Sequence, residues 1–182
     1  KLNAQDRDRG VDDLIALVIR IDSPGGAVAP SQEIYRAMRW ASEKKPVVAS
    51  MGSVAASGGF WASLGADWVF ASPGTITGSI GVITQLPDLR GLADLIHFRM
   101  RTFKSGPLKD AGNPFREMTA EDEQLFQSLI DDIYDQFVTL TAERRNLQID
   151  DVKKIADGRV MTGRAAKDAG LIDELGGLHE AA

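Results

Sequence analysis

A continuous run rich in β-branched residues, Leu14-Ile15-Ala16-Leu17-Val18-Ile19-Arg20-Ile21, breaks off at once into Asp22-Ser23-Pro24-Gly25-Gly26. An unbroken apolar run of this kind has both faces covered, as in a strand of a parallel sheet. Pro-Gly-Gly ends it with strong turn chemistry. A parallel sheet needs crossover connections, usually helices, and the downstream sequence supplies them.

Ser31 is placed to cap a helix that carries Ile34, Met38 and Ala41 on one face, and Lys44-Lys45-Pro46 closes it. Pro46 to Met51 reads as a second strand, Trp68 to Ala71 as a third and Ile80 to Thr84 as a fourth. Gly52 to Gly59 is almost entirely small residues and leads into a helix through Phe60 to Leu64. Ser72 to Gly78 reads as a loop, Asp88 to Leu95 as a short helix, Ile96 to Phe103 as a further strand, and Lys104 to Met118 as a loop. Thr119 with Asp122 makes a start resembling a capping box for a long helix. Its apolar stripe is Phe126, Ile130, Ile133, Phe137 and Leu140. Asp150 and Thr162 are expected to cap two shorter helices, the second stopping at Gly170. Strands alternating with helices predict an α/β fold with a largely parallel sheet. Ligands bind beyond the carboxyl ends of such strands, so the turns at Gly25-Gly26 and Gly58-Gly59 are expected on one functional edge.

Length and composition narrow the function. The chain has 182 residues, enough for one domain with a sizeable core, and neither a repeat nor a linker divides it. A net charge of −5 gives no support to nucleic-acid binding, which usually needs a basic face. The absence of cysteine removes disulfides, thiolate metal sites and a cysteine nucleophile together. With two histidines, His97 and His179, a histidine-rich metal site is excluded as well. No apolar run approaches the roughly 20 residues that span a bilayer. The polar opening, Lys1 to Arg9, reads as the end of a helix or a loop inside a longer protein.

Chemistry concentrates at Gly52-Ser53-Val54-Ala55-Ala56-Ser57-Gly58-Gly59. Small residues at a strand-to-helix junction let another backbone approach closely. A serine at a helix N-terminus faces free N–H groups and the positive end of the dipole. Both suit a nucleophile whose product is an oxyanion, although tight helix–sheet packing would use the same residues. Ser53 is the rival serine, without the following glycine pair. Ser23-Pro24-Gly25-Gly26 can aim a second backbone N–H at an oxyanion. A base is then needed. His97 sits among apolar residues and His179 near the last residues, so neither is favoured. A lysine serves when desolvation lowers its pKa, by up to about 3–5 units for full burial. Phe103-Lys104-Ser105-Gly106-Pro107-Leu108-Lys109-Asp110 offers two, and local chemistry leaves Lys104 and Lys109 equal candidates. Asp157 to Gly163 reads as a structural docking element, and Glu121-Asp122-Glu123 as a solvated first helical turn.

Taken in order, Ile21-Asp22-Ser23-Pro24-Gly25-Gly26, Ala55-Ala56-Ser57-Gly58-Gly59-Phe60-Trp61, Thr77-Gly78-Ser79-Ile80-Gly81-Val82, Lys104-Ser105-Gly106 through Lys109-Asp110, Asp157-Gly158-Arg159-Val160 and Gly170-Leu171-Ile172-Asp173 resemble the signal peptide peptidase A family. Each motif alone is weak; the series is specific and covers nearly the whole chain. The resemblance implies a Clp protease and crotonase-like β/α spiral. It implies a serine endopeptidase with Ser57 as nucleophile, Lys109 as general base, Ser79 orienting that lysine, and the N–H groups of Gly26 and Gly58 as oxyanion hole. It implies no metal and no organic cofactor. It also implies remnant signal peptides as substrates, a homo-oligomeric ring, and a membrane anchor outside this chain. The catalytic domain would face outward from the inner or plasma membrane of a bacterium. Serine and lysine on one stretch resemble the half-length, bacillus-like form and not the duplicated one. Against the family pattern, the anchor and first strand are missing, and Thr84 to Leu89 departs from common versions. The readings set against this one are a related Ser/Lys peptidase such as a phage capsid-maturation protease, a crotonase-like acyl-CoA enzyme, and an inactive assembly module.

Overall fold

The computed structural model describes residues 14–182. The expectation for Lys1 to Arg9 lies outside the described residues. The described chain divides into two compact units, one of residues up to Gly81 together with Gln136–Ala182, the other of Val82–Asp135.

The first unit is built on a sheet of six strands: β1 (Leu17–Ser23), β2 (Val47–Ala56), β3 (Trp68–Ala71), β4 (Ile76–Gly78), β5 (Val160–Thr162) and β6 (Glu174–Leu175). The order is β5-β4-β2-β3-β6, with β1 along β2. All pairings are parallel except β4 with β5. β2 is the centre, flanked by β1 along its length, by β3 on its first half and by β4 on its last residues. Val47, Ala49, Ser50, Met51 and Ala55 of β2 are all fully buried, as a strand covered on both faces requires. The expected strand at Leu14 begins later, because Ile15 is exposed and only Leu17 onward finds partners on β2.

Two helices follow the first two strands, α1 (Val28–Ser42) and α2 (Gly58–Ser63). Ser31 does not cap α1. The helix starts earlier, with Ala27 as N-cap, and Ser31 Oγ donates to the Ala27 carbonyl at 3.0 Å from inside the first turn. Met38 is buried as expected while Ile34 is exposed. The fourth strand is displaced from its expected place: Ile76–Gly78 pairs with β2, and Ile80 to Thr84 has no regular structure. Later come α5 (Ile149–Lys153), capped by Gln148 and not Asp150, α6 (Gly163–Asp168) and α7 (Leu178–Ala181). Thr162 does cap α6, accepting from the Ala165 N–H at 3.3 Å, and Gly170 ends it at φ +75°.

The last part of α4 (Ala120–Arg145) belongs to this unit. Phe137 is buried against Trp61 and Phe60, with ring centroids 4.5 and 6.2 Å away. Truncating a buried aromatic of this kind typically costs about 3–5 kcal/mol. Arg144 donates to the Leu64 and Ala66 carbonyls that end α2. Arg145 grips Asp173 with both terminal nitrogens, at 3.0 and 2.8 Å, and Asp173 also accepts the Val69 N–H. The Gly170-to-Asp173 motif therefore fastens α4 to β3.

The second unit, Val82–Asp135, holds α3 (Arg90–Leu95), a 3-10 turn at Pro107–Asp110 and the first part of α4. Ile96 to Phe103, expected as a strand, has no strand partner among the described residues. His97 instead takes φ +53° in the turn after α3. The start of α4 is as expected: the Asp122 N–H donates to Thr119 Oγ1 at 3.2 Å, and Asp122 Oδ2 accepts the Thr119 N–H at 3.0 Å. No helix among the described residues is long and apolar enough to cross a membrane.

Candidate active site

Ser57 stands at the junction of β2 and α2, as the residue that caps the helix. Its backbone has φ +52° and ψ −121°. A non-glycine residue there carries strain of order 1–3 kcal/mol, which persists only where the surroundings over-determine it. The surroundings do so here. The Ser57 N–H donates to the Gly78 carbonyl at 2.8 Å, and the Ser57 carbonyl accepts the Trp61 N–H at 2.9 Å. The Ser57 backbone thus turns from the end of the strand into a first helical turn whose N–H groups have no partner within the helix.

The glycine turn after β1 forms the adjoining wall. A Cβ on Gly25, at φ +106°, would lie 2.7 Å from the Gly58 nitrogen and 2.8 Å from Ser57 Cβ. The two glycine turns are therefore in contact, as expected for one edge of a parallel sheet. Gly26 joins them, its nitrogen 3.3 Å from where a Gly58 Cβ would sit, with open space on its own side. Backbone donors of Gly26 and Gly58 thus lie together beside Ser57. An open groove of about 420 Å³ borders Gly25 and Gly58, lined also by Ile21, Asp22 and Ser23 of β1 and Ile34 of α1.

Ser79 also belongs to this edge. Ala56 and Gly78 are register partners, so Ser57 and Ser79 each follow directly on a paired residue. Ser79 repeats the anomaly, with φ +52°. Its N–H donates to the Arg159 carbonyl at 2.8 Å, and the Gly158 N–H donates to the Ile80 carbonyl at 3.0 Å. The Asp157-to-Gly163 segment, read from sequence as a docking element, clamps the backbone around Ser79. Ser53, the rival serine, is exposed within β2 and away from the elbow.

Lys109 and Lys104 belong to the second unit, where their surroundings differ. Lys104 Nζ donates to Asp110 Oδ1 at 2.8 Å and to the Pro107 carbonyl at 2.9 Å. Arg116 binds the same Asp110 oxygen at 3.1 Å. Hydrogen bonds from Lys104 and then Arg116 hold the Asp110 carboxyl below the usual carboxylate range. Lys109 lies in the 3-10 turn with its side chain exposed, and makes no ion pair among the described residues. Asp110, its neighbour in sequence, is thus committed to other cations.

Several residues at the site escaped the sequence reading. Ser31 packs under Gly58, where a Cβ on that glycine would strike it. Thr75 Oγ1 donates to the Gly52 carbonyl at 2.8 Å, and Thr77 Oγ1 to the Ala55 carbonyl at 2.6 Å, both buried along the strand that leads to Ser57. Threonines in a short strand look like ordinary β-formers, and nothing local marks them as braces. Among the described residues no group of His, Asp and Glu side chains could hold a metal ion.

Comparison with known proteins gives a consistent result. Residues 39–182 match Peptidase family S49. A Synechocystis protein that carries the name protease slr0021 is 48% identical over 88% of this chain and 58% of its own length. An Enterococcus faecium protein that carries the name signal peptide peptidase SppA is 37% identical over 88% of this chain and 47% of its own length. The chain therefore spans about half the length of these relatives. A ClpP1 mutant from Listeria monocytogenes superposes with a TM-score of 0.60 over 91% of this chain and 76% of that one. At 18% identity that likeness shows the fold alone, and it is the Clp protease-like fold expected from the sequence.

Proposed function

The chain belongs to peptidase family S49, and on that premise we propose that it is the catalytic part of a serine endopeptidase working through a Ser57/Lys109 dyad. Both units serve one catalytic domain in this reading. The observation that carries it is the Ser57 elbow: a strained serine at φ +52°, with the Gly25-Gly26 turn packed against Ser57 and Gly58.

The mechanism is acyl transfer. Neutral Lys109 takes the hydroxyl proton as Ser57 Oγ attacks the scissile carbonyl carbon. The carbonyl oxygen becomes an oxyanion held by the Gly26 and Gly58 N–H groups, each such donor worth about 3–4 kcal/mol. Collapse breaks the C–N bond, and the lysine gives its proton to the leaving amine. Water repeats the cycle on the acyl-enzyme. In this reading Ser79 serves to orient Lys109. The engagement of Asp110 by Lys104 and Arg116 supports Lys109 over Lys104, since the Lys104 ammonium is already committed to a carboxylate. Lys109 is exposed, so the desolvation a lysine base needs is assigned to bound peptide or to a neighbouring subunit.

The relative named signal peptide peptidase supports signal peptides as substrates, and the reading extends to remnant signal peptides cleaved at the outer face of a bacterial inner or plasma membrane. Exposed apolar side chains in the second unit, among them Ile83, Leu95, Ile96 and Phe103, support a homo-oligomeric ring in which they are covered. A fluorophosphonate probe tests the reading: mass spectrometry of the labelled protein should place the adduct on Ser57. An unlabelled Ser57 in protein that hydrolyses peptides would overturn it.

A further inference from the structure

β1 and β2 change register just before the Ser57 elbow. Ile21 pairs with Met51, yet Ser23 pairs with Ala55. One residue of β1, Asp22, is thus set against Gly52, Ser53 and Val54 of β2. Bulges of this kind bend a strand and re-aim its later side chains, and they concentrate next to active sites. A bulge also frees backbone groups from the ladder, and each must find another partner.

Here the partners are side chains. Asp22 Oδ1 accepts the Val54 N–H at 3.0 Å. On the opposite side of β2, Thr75 takes the Gly52 carbonyl. The fit to Asp22 is close: a Cβ on Gly52 would lie 2.6 Å from Asp22 Cγ, so only glycine lets the carboxylate reach across. The strand then runs from Val54 to the elbow at Ser57. Asp22 also opens the turn that carries Gly25 and Gly26. One side chain therefore ties the strand that leads to Gly25 and Gly26 to the strand that leads to Ser57 and Gly58.

We propose that Asp22 is a positioning residue, whose carboxylate oxygen fixes the β2 bulge and thereby the aim of Ser57 relative to the Gly26 N–H. Asp22 also borders the groove beside Ser57, but the role assigned to it runs through Ser57, so the proposal rests on the serine peptidase reading. What the geometry requires of Asp22 is an acceptor oxygen of the right length and not a negative charge. An asparagine can supply that oxygen; an alanine cannot.

The test compares wild type, Asp22→Asn and Asp22→Ala by turnover of a peptide substrate and by the rate of fluorophosphonate labelling, with thermal melting as a fold control. Misplacement of a reacting group by an ångström can cost up to about 100-fold, and a partial loss of aim predicts about tenfold for Asp22→Ala. The loss should fall on kcat and on the labelling rate, with KM and the melting profile near wild type, and Asp22→Asn should restore both rates to within about twofold. Asp22→Ala labelling and turning over like wild type overturns the proposal, and so does Asp22→Asn failing as badly as Asp22→Ala. If Asp22→Ala does not fold, Asp22→Asn alone decides: near wild-type rates support the acceptor role, and a tenfold loss refutes it. Wild type that hydrolyses peptide without labelling at Ser57 defeats the underlying serine reading, an outcome distinct from either of these.

Discussion

Lys104 Nζ lies 2.8 Å from Asp110 Oδ1, and that contact makes the two lysines of the loop unequal. Lys104 is bound in a carboxylate network, whereas Lys109 has no acidic partner among the described residues. Lys109→Ala should abolish peptide hydrolysis, and Lys104→Ala should leave activity within about an order of magnitude of wild type, since it removes one partly exposed ion pair. Paired kinetics on the two purified variants check this, and the reverse ranking moves the base to Lys104.

The pH dependence of turnover follows from the base. A lysine accepts a proton only when neutral, so kcat/KM should rise with pH and level off on the alkaline side. Ser79→Ala should lower kcat more than it changes KM, because it misplaces the base without altering the peptide groove. A profile that peaks in acid and falls above neutrality contradicts a lysine base and points to a carboxylate.

Acid should loosen the loop that carries Lys109. Arg116 binds Asp110 and the buried Asp122 together, and its hydrogen bonds hold the Asp122 carboxyl well below the ordinary range. Hydrogen bonds from Lys104 and Arg116 lower Asp110 as well. A carboxyl lowered on folding stabilises fully above its unfolded value, about 3.9 for Asp, and that support is lost as pH falls through the lower folded value. Amide protection across residues 104–123, taken relative to the intrinsic exchange rate at each pH, should be high at neutral pH and fall below about pH 4. Arg116→Leu should show the low protection already at neutral pH; protection equal to wild type would mean that the network does not hold the loop.

Assembly is testable through the second unit. Phe103 is 96% exposed, with Leu95 at 78% and Ile96 at 64% close by in sequence. Phe103→Glu should shift the particle mass by light scattering to smaller species. A wild type that is a strict monomer at high concentration, with full activity, contradicts the ring.

The parallel core and the Ser57 elbow were legible because their signals are local. Apolar runs, the two glycine turns, the Thr119–Asp122 cap and the Thr162 cap all act within a few residues. Errors fell where a distant partner decides. Ile76–Gly78 is a strand because β2 extends to Ala56 and offers it an edge, which the plain sequence Thr75-Ile76-Thr77 does not announce. Ile96 to Phe103 has the composition of a strand and finds no strand beside it among the described residues. Ser31 has the right side chain for a cap, but Ala27 starts the helix earlier and leaves Ser31 packed beneath Gly58. The different surroundings of the two lysines were illegible for the same reason, since they depend on Lys104 and Arg116 sharing Asp110.

The central claim is that Ser57 is the nucleophile, and the most direct measurement is peptide hydrolysis by purified Ser57→Ala beside wild type, with circular dichroism and thermal melting to establish that the variant is folded. Loss of a nucleophile leaves only the contribution of the oxyanion hole and binding, so activity should fall by at least about 10⁴-fold while the melting profile stays at or above that of wild type, because alanine removes a reactive group and no packed surface. A folded Ser57→Ala protein that retains a substantial fraction of wild-type hydrolysis would contradict the account.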